Sequence, residues 1–314
     1  MGRSPHRHRP GLPIMLGREP EIRGFHHRPA PFPAPFDAPF RSPRRKEFRV
    51  TSPTLEVRWG TATDVGHRRA DNQDALLAGP PVFAVADGMG GHRAGREAAD
   101  LVVAAFASTC ARPWTTSDDV LLAVARADEA VRQLGGTGPA APGSTVSGVA
   151  LACPDGIPSW LVFNIGDSRT YLLRAGQLEL VTVDHSYAQV LEEQGCSDDV
   201  RSRAPRNVIM RAIGGGLREA PLTDQWLVPA EAGDRLLVCS DGLTTELSEP
   251  LLAALLLSTP DPAAAAQGLI AAALDSAARD NVTAVVVDAI AVRRPAVATA
   301  PDEDTLPDLP TVPR

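Results

Sequence analysis

Hydrophobic positions along the chain fall into two patterns. Short runs in which nearly every residue is apolar, such as FAVA at Phe83–Ala86, LVFNI at Leu161–Ile165, RLLVC at Arg235–Cys239 and VTAVVVDAI at Val282–Ile290, are bounded by turn residues. A continuous apolar run of that length predicts a buried strand. Longer blocks rich in alanine and aliphatic residues, Arg93–Cys110, Ser117–Leu134 and Pro262–Ala278, predict helices. Strands interspersed with helical blocks make an α+β layered domain the expected fold class. WLVFNIG and TYLLRAG, with GDS between them, read as adjoining antiparallel strands. No internal repeat is evident.

The ends of the strands carry the chemistry. Phe83–Ala86 runs into Asp87 and a glycine cluster, Gly88, Gly90 and Gly91, which lets the backbone turn sharply beside a ligand. The same device recurs at Asp167 in NIGDSR, at Asp241 in LLVCSDG, and at Asp280, which with Asn281 opens the last apolar run. One Asp-Gly pair after a strand is an ordinary turn. Four aspartates at the mouths of four apolar runs favour a cluster of acidic oxygens, and packed carboxylates repel or take up protons unless a divalent ion offsets them. All-oxygen ligation points to magnesium or manganese rather than zinc.

What the chain lacks narrows the reaction. Lys46 is its only lysine, so a P-loop, a kinase-type nucleotide lysine and a Schiff base are excluded from everything downstream. His67, His92 and His185 do not form HExxH, and no GxSxG elbow is present, which weakens metalloprotease and triad-hydrolase readings. Cys110, Cys153, Cys196 and Cys239 stand apart without a CxxC pair, as expected of reduced thiols. A phosphate would have to be gripped by arginine, and Arg68 and Arg69 lie just upstream of Asp74.

TDVGHRRADNQD, FAVADGMGGH, GSTVSGVAL, FNIGDSRTYLL, LVTVDHS, RNVIMRAIGG, GDRLLVCSDGL and DNVTAVVV, in that order, resemble the motif series of the type 2C metal-dependent serine/threonine protein phosphatases, bacterial type. The resemblance covers about Leu55 to Val292. It implies a four-layer α-β-β-α sandwich of two antiparallel sheets flanked by helices, with the metal site at one end. It further implies that Asp87 bridges two divalent ions, Mn2+ or Mg2+, that the Gly88 carbonyl binds one of them, and that Asp241 and Asp280 complete the other. Asp167, with Asp241, would hold a third, weaker ion. Arg69 matches the phosphate-gripping arginine, with Arg68 as the fallback, and the implied reaction is direct hydrolysis of phosphoserine or phosphothreonine by a water held between the ions. Gln73, Asp74 and Asn281 stand in the ring around the ligands. Gln73 occupies a position where many relatives carry Glu, which implies a weaker metal site, and for Asp74 a plain structural cap is the competing reading. Met89 stands where some members place a histidine and cannot donate a proton. A metal-bound water, or His92 nearby, would have to serve instead; the competing reading of His92 is a structural helix-start residue, and His185 reads as the holder of a turn.

Charge is distributed unevenly. The first fifty residues hold eleven Arg or Lys against four acids, so the remainder of a chain of net charge −7 stands at −14. Residues 1–50, basic and rich in proline and arginine, are expected to be disordered, a start of translation near Val50 being the competing account. Residues 51–293 form the expected phosphatase domain, with a flap-like segment at about 186–212 bearing on substrate choice. Residues 294–314 form an acidic, proline-rich tail. No secretory leader and no run of eighteen apolar residues is seen, so a cytoplasmic, soluble monomer is expected. Expected partners are phosphorylated proteins and a cognate serine/threonine kinase, with no specific nucleic acid. The alternatives are a phosphatase of the related sporulation and stress-response branch, and a non-catalytic phosphoprotein-binding scaffold.

Overall fold

The computed structural model describes residues 52–90, 92–108, 112–197, 208–216 and 221–295. The basic tail, the acidic tail beyond Pro295 and residues 198–207 of the flap-like segment lie outside the described residues. In chain order the elements are β1 (Thr54–Asp64), β2 (Asp74–Gly79), β3 (Val82–Met89), α1 (His92–Ala107), α2 (Ser117–Gln133), β4 (Gly143–Ser144), β5 (Val146–Ala152), β6 (Ser159–Ile165), β7 (Arg169–Arg174), β8 (Gln177–Leu180), α3 (Tyr187–Glu193), β9 (Ile213–Gly214), β10 (Asp224–Pro229), β11 (Arg235–Cys239), α4 (Asp241–Glu246), α5 (Glu249–Ser258), α6 (Pro262–Ser276) and β12 (Val282–Arg293).

Two antiparallel sheets result. The first has the order β1-β12-β11-β7-β8, and the second runs β10-β6-β5-β3-β4-β9 with β2 also paired to β3. Three apolar clusters separate four layers. Along β3, Val82, Ala84 and Ala86 face α1 and α2, while Phe83 and Val85 face the other sheet. Along β12, Val282, Ala284 and Val286 face α4 to α6, while Val285, Val287 and Ala289 point inward. The side-chain period is two, but both faces are buried, so the strands read as unbroken apolar runs.

Helix ends follow local chemistry. Thr116 and Asp119 form a reciprocal capping box at the start of α2. Asp261 caps α6, with Pro262 in the first turn, where its missing N–H costs nothing. The expected helices over 93–110, 117–134 and 262–278 appear, two of them starting where expected and the other ends shifted by one to three residues.

One expectation fails. β6 and β7 do not adjoin: β6 pairs with β5 and β10 in the second sheet, whereas β7 pairs with β11 and β8 in the first. Gly166, at φ +107°, turns the chain from one sheet across to the other. A Cβ there would sit 2.5 Å from the Thr145 methyl group, so the crossing requires glycine.

Arg235 and Asp288 face each other across β11 and β12. Arg235 donates from Nε and Nη2 to the two Asp288 oxygens at 2.6 and 2.8 Å, and to the carbonyls of Leu256, Thr259 and Pro260 at 2.6 Å each. The guanidinium thereby ties the end of α5 to the sheet. Arg235→Ala strands a buried carboxylate and leaves those carbonyls without this donor, so urea denaturation should show a loss of about 3–5 kcal/mol.

Candidate active site

Antiparallel register brings the strand-end aspartates to one end of the sandwich. Asp87, near the end of β3, lies opposite Asp74 on β2. β11 ends at Cys239 opposite Ala284 of β12 and Arg169 of β7, so Asp241, Asp280 and Asp167 all leave the first sheet at the same end. Asp241 opens the short helix α4, a helix start that the strand-end reading of CSDG did not anticipate. The strand–helix contact beside Asp87 is tight: a Cβ on Gly88 would lie 2.1 Å from the Gly95 carbonyl oxygen, so α1 packs there only against glycine.

Arg68, Arg69, Gln73, Asp87, Gly88, Asp167, Asp241 and Asp280 line a single cleft of about 720 Å³, together with Met89, Ile209 and Ala212. Arg69 donates from Nη2 to Asp280 Oδ2 at 2.6 Å, yet half of its side chain remains exposed. Asp74 and Asn281 are not in the cleft wall. Asp74 lies behind it, where Oδ2 accepts from Ser240 Oγ at 2.8 Å and from Thr283 Oγ1 at 2.6 Å. Through these bonds it cross-links the two sheets.

Asn281 clamps the loop that carries the arginines. Its Oδ1 accepts from the Gln73 N–H, and its Nδ2 donates to the carbonyls of Val65 and Asp71. On the other side, Thr145 Oγ1 accepts from the Asp87 N–H and bonds Ser168 Oγ at 2.8 Å. His185, expected to hold a turn, is buried; its Nδ1 accepts from the Gly166 N–H, so Nε2 carries the proton and donates to Asp224 Oδ2. Burial holds its pKa below the usual histidine range, with the Asp224 bond opposing. The helix expected at His92 begins there. Ser240, Thr283, Thr145 and Ser168 escaped the sequence reading; the visible signal was a hydroxyl residue inside or beside an apolar run.

Electrostatically the cluster is incomplete. Burial, reinforced by Asp74, Asp241, Asp167 and Asp280, drives the Asp87 carboxyl well above the ordinary carboxylate range. Burial, then Asp241, raises Asp167 to about 7, and burial, then Asp280, also raises Asp241. Asp74 is raised to about 6, burial outweighing its two hydroxyl bonds. Arg69 is held above its usual pKa by its bond to Asp280. Asp167 and Asp241 each keep one buried Oδ1 without a partner. Uncompensated oxygens beside a backbone carbonyl fit hard divalent cations. Among the described residues no three acidic, His or Cys side chains stand close enough to form a ready-made cage for an ion.

Asn281→Ala removes three hydrogen bonds at once. It should lower unfolding free energy by about 1–3 kcal/mol in urea titration.

Comparison with known proteins agrees with this geometry. The family model described as protein phosphatase 2C matches residues 64–275. The serine/threonine protein phosphatase PstP of Mycobacterium tuberculosis is 40% identical over 250 residues, covering 76% of this chain and 46% of the relative. The chain thus spans about half the length of that relative. The serine/threonine phosphatase stp of Listeria monocytogenes is 30% identical over 246 residues, covering 72% of this chain and 93% of its own. Among solved structures, the M. tuberculosis phosphatase PstP/Ppp superposes with a TM-score of 0.67 at 34% identity, over 76% of this chain and all of that one. The catalytic domain of PstP in complex with two manganese ions gives 0.66 at 35% identity, with the same coverage. With that match over most of the described residues, and an acidic cleft where two antiparallel sheets end, the chain belongs to the protein phosphatase 2C family.

Proposed function

We propose that this chain is a metal-dependent protein phosphatase that hydrolyses phosphoserine and phosphothreonine in proteins. The observation that carries the reading is the convergence of Asp87, Asp167, Asp241 and Asp280 on one cleft with an arginine at its mouth. Asp87, the Gly88 carbonyl, Asp241 and Asp280 would hold two divalent ions, Mn2+ or Mg2+, and Asp167 with Asp241 a third, weaker one. Bound ions supply Lewis acidity and lower the pKa of water toward neutrality.

The protein's own groups do the rest. The phosphate competes with Asp280 for Arg69, whose planar guanidinium engages two equatorial oxygens at once. Arg68, beside it in the cleft wall, adds positive charge. Asn281 and Asp74 keep both the arginine loop and the Asp87 strand in place, so that the phosphorus is met in line with its seryl or threonyl oxygen. Met89 in the cleft wall cannot donate a proton, so in this reading the leaving oxygen takes its proton from water or from His92.

A phosphorylated protein segment is the substrate this open cleft accommodates. A bacterial-type serine/threonine kinase is the partner that would supply it. A cytoplasmic monomer goes with this reading, and among the described residues no helix is long and apolar enough to cross a membrane.

Phosphate release from a phosphothreonine peptide should require Mn2+ or Mg2+ and stop with chelator, and Asp241→Asn should lower kcat by about 100-fold or more. Turnover that survives chelation would sink the proposal. Arg69→Ala should cost about 10- to 100-fold in kcat/KM, mostly through KM, while Arg68→Ala costs less. Independently of turnover, saturating Mn2+ should raise the melting temperature by about 5 °C, and Asp87→Asn should remove most of that rise.

A further inference from the structure

Two hydroxyl pairs cross the interior of the sandwich. Thr145 Oγ1 and Ser168 Oγ lie 2.8 Å apart, just before β5 of the second sheet and β7 of the first, and Ser147 Oγ and Thr170 Oγ1 lie 2.9 Å apart near the beginnings of the same strands. All four residues are at most 1% exposed. Two positions further along each strand the row continues as Val149 and Leu172, both in the apolar cluster between the sheets. The row thus turns polar as it nears the acidic cleft.

Sheet packing does not call for hydroxyls there. Replacing both members of a buried hydrogen-bonded pair by apolar groups of the same shape is close to neutral for stability, and Val149 with Leu172 shows the row filled in that way. What a hydroxyl pair adds is direction.

The outer pair is the one that touches the site. Thr145 holds both backbone groups of Asp87: its Oγ1 accepts from the Asp87 N–H at 3.0 Å, and its own N–H donates to the Asp87 carbonyl at 2.9 Å. Across the pair, Ser168 directly follows Asp167, and Gly166, which directly precedes Asp167, lies against the Thr145 methyl group. A single hydroxyl bond therefore links the residue that clamps Asp87 in one sheet to the neighbour of Asp167 in the other. On the opposite flank Asp74 makes the corresponding joint through Ser240 and Thr283.

We propose that the Thr145–Ser168 bridge is a positioning device that sets the gap between Asp87 and Asp167, and with it the affinity of the cleft for divalent ions. The inference rests on the metal-dependent reading above. Like charges on two strand ends push them apart, and on this flank the bridge is the brace that runs from one sheet to the other. The inner pair, Ser147 with Thr170, lies deeper and braces the sheets without holding either aspartate.

Ser168→Ala and Ser147→Ala make a matched test, since each removes one buried hydroxyl from one pair. Both should lower the melting temperature of the chelator-treated full-length protein by similar amounts. In calorimetric titration with Mn2+ alone, Ser168→Ala should raise the dissociation constant about tenfold, whereas Ser147→Ala should stay within about twofold of the parent. Thr145→Val should weaken Mn2+ binding at least as much as Ser168→Ala, and Thr145→Ser, which keeps the hydroxyl, should bind as the parent does. Equal Mn2+ affinity in the parent and Ser168→Ala would overturn the inference. So would an equal loss in Ser147→Ala, which would make the effect one of general packing. A parent that binds Mn2+ but releases no phosphate from a phosphothreonine peptide would instead fail the phosphatase reading, and the binding constants would still decide the role of the bridge.

Discussion

Burial of the central strands on both faces is the constraint from which the rest follows. With helices on one side and the opposite sheet on the other, β3, β5, β6, β11 and β12 have little room for polar side chains along most of their length. Apart from paired groups such as Asp288 with Arg235 and Ser147 with Thr170, polar groups collect where strands end, because a desolvated polar group costs stability unless it finds a partner. Antiparallel pairing then stacks these ends together, so residues far apart in sequence meet at the two rims of the sandwich. Asp74 shows the principle at its sharpest, joining Ser240 and Thr283 of one sheet to β2 of the other through a single oxygen.

The way the buried carboxylates are satisfied separates scaffold from site. Asp234 accepts from Arg174 through both oxygens, from Trp160 Nε1 and from the Glu231 N–H. Asp288 is gripped by Arg235, and Asp184 by Arg169 at 2.7 and 2.9 Å. In each case a bidentate guanidinium offsets the charge locally. Asp87, Asp167 and Asp241 have no such partner among the described residues; burial and one another's charge push their pKa values up. Asp74, behind the cleft, has two hydroxyl partners and no arginine and is raised as well, so the buried carboxylates without a guanidinium gather at this one rim, where a cation can relieve their repulsion.

Much of this was visible in the chain itself. Apolar runs ending in aspartate located Asp87, Asp167, Asp241 and Asp280, because a strand buried on both faces has to be apolar throughout and its polar residues are displaced to its ends. The three expected helices followed from alanine-rich and aliphatic blocks, with ends off by up to three residues, whereas α4 and α5 were not foreseen. The roles of Asp74 and Asn281 were not readable, since each depends on partners about two hundred positions away. The failed pairing of β6 with β7 has the same origin: a short turn between two apolar runs reads alike whether it closes a hairpin or crosses between sheets.

Sequence alone thus determined which residues are apolar, where the most buried strands and three of the helices lie, and which aspartates stand at strand ends, because those properties are set by local periodicity and turn chemistry. Tertiary structure decided which ends share a rim, which carboxylates are neutralised by arginine and which are left exposed to one another. Those outcomes rest on sheet order and register, and register joins segments whose separation along the chain carries no local signal.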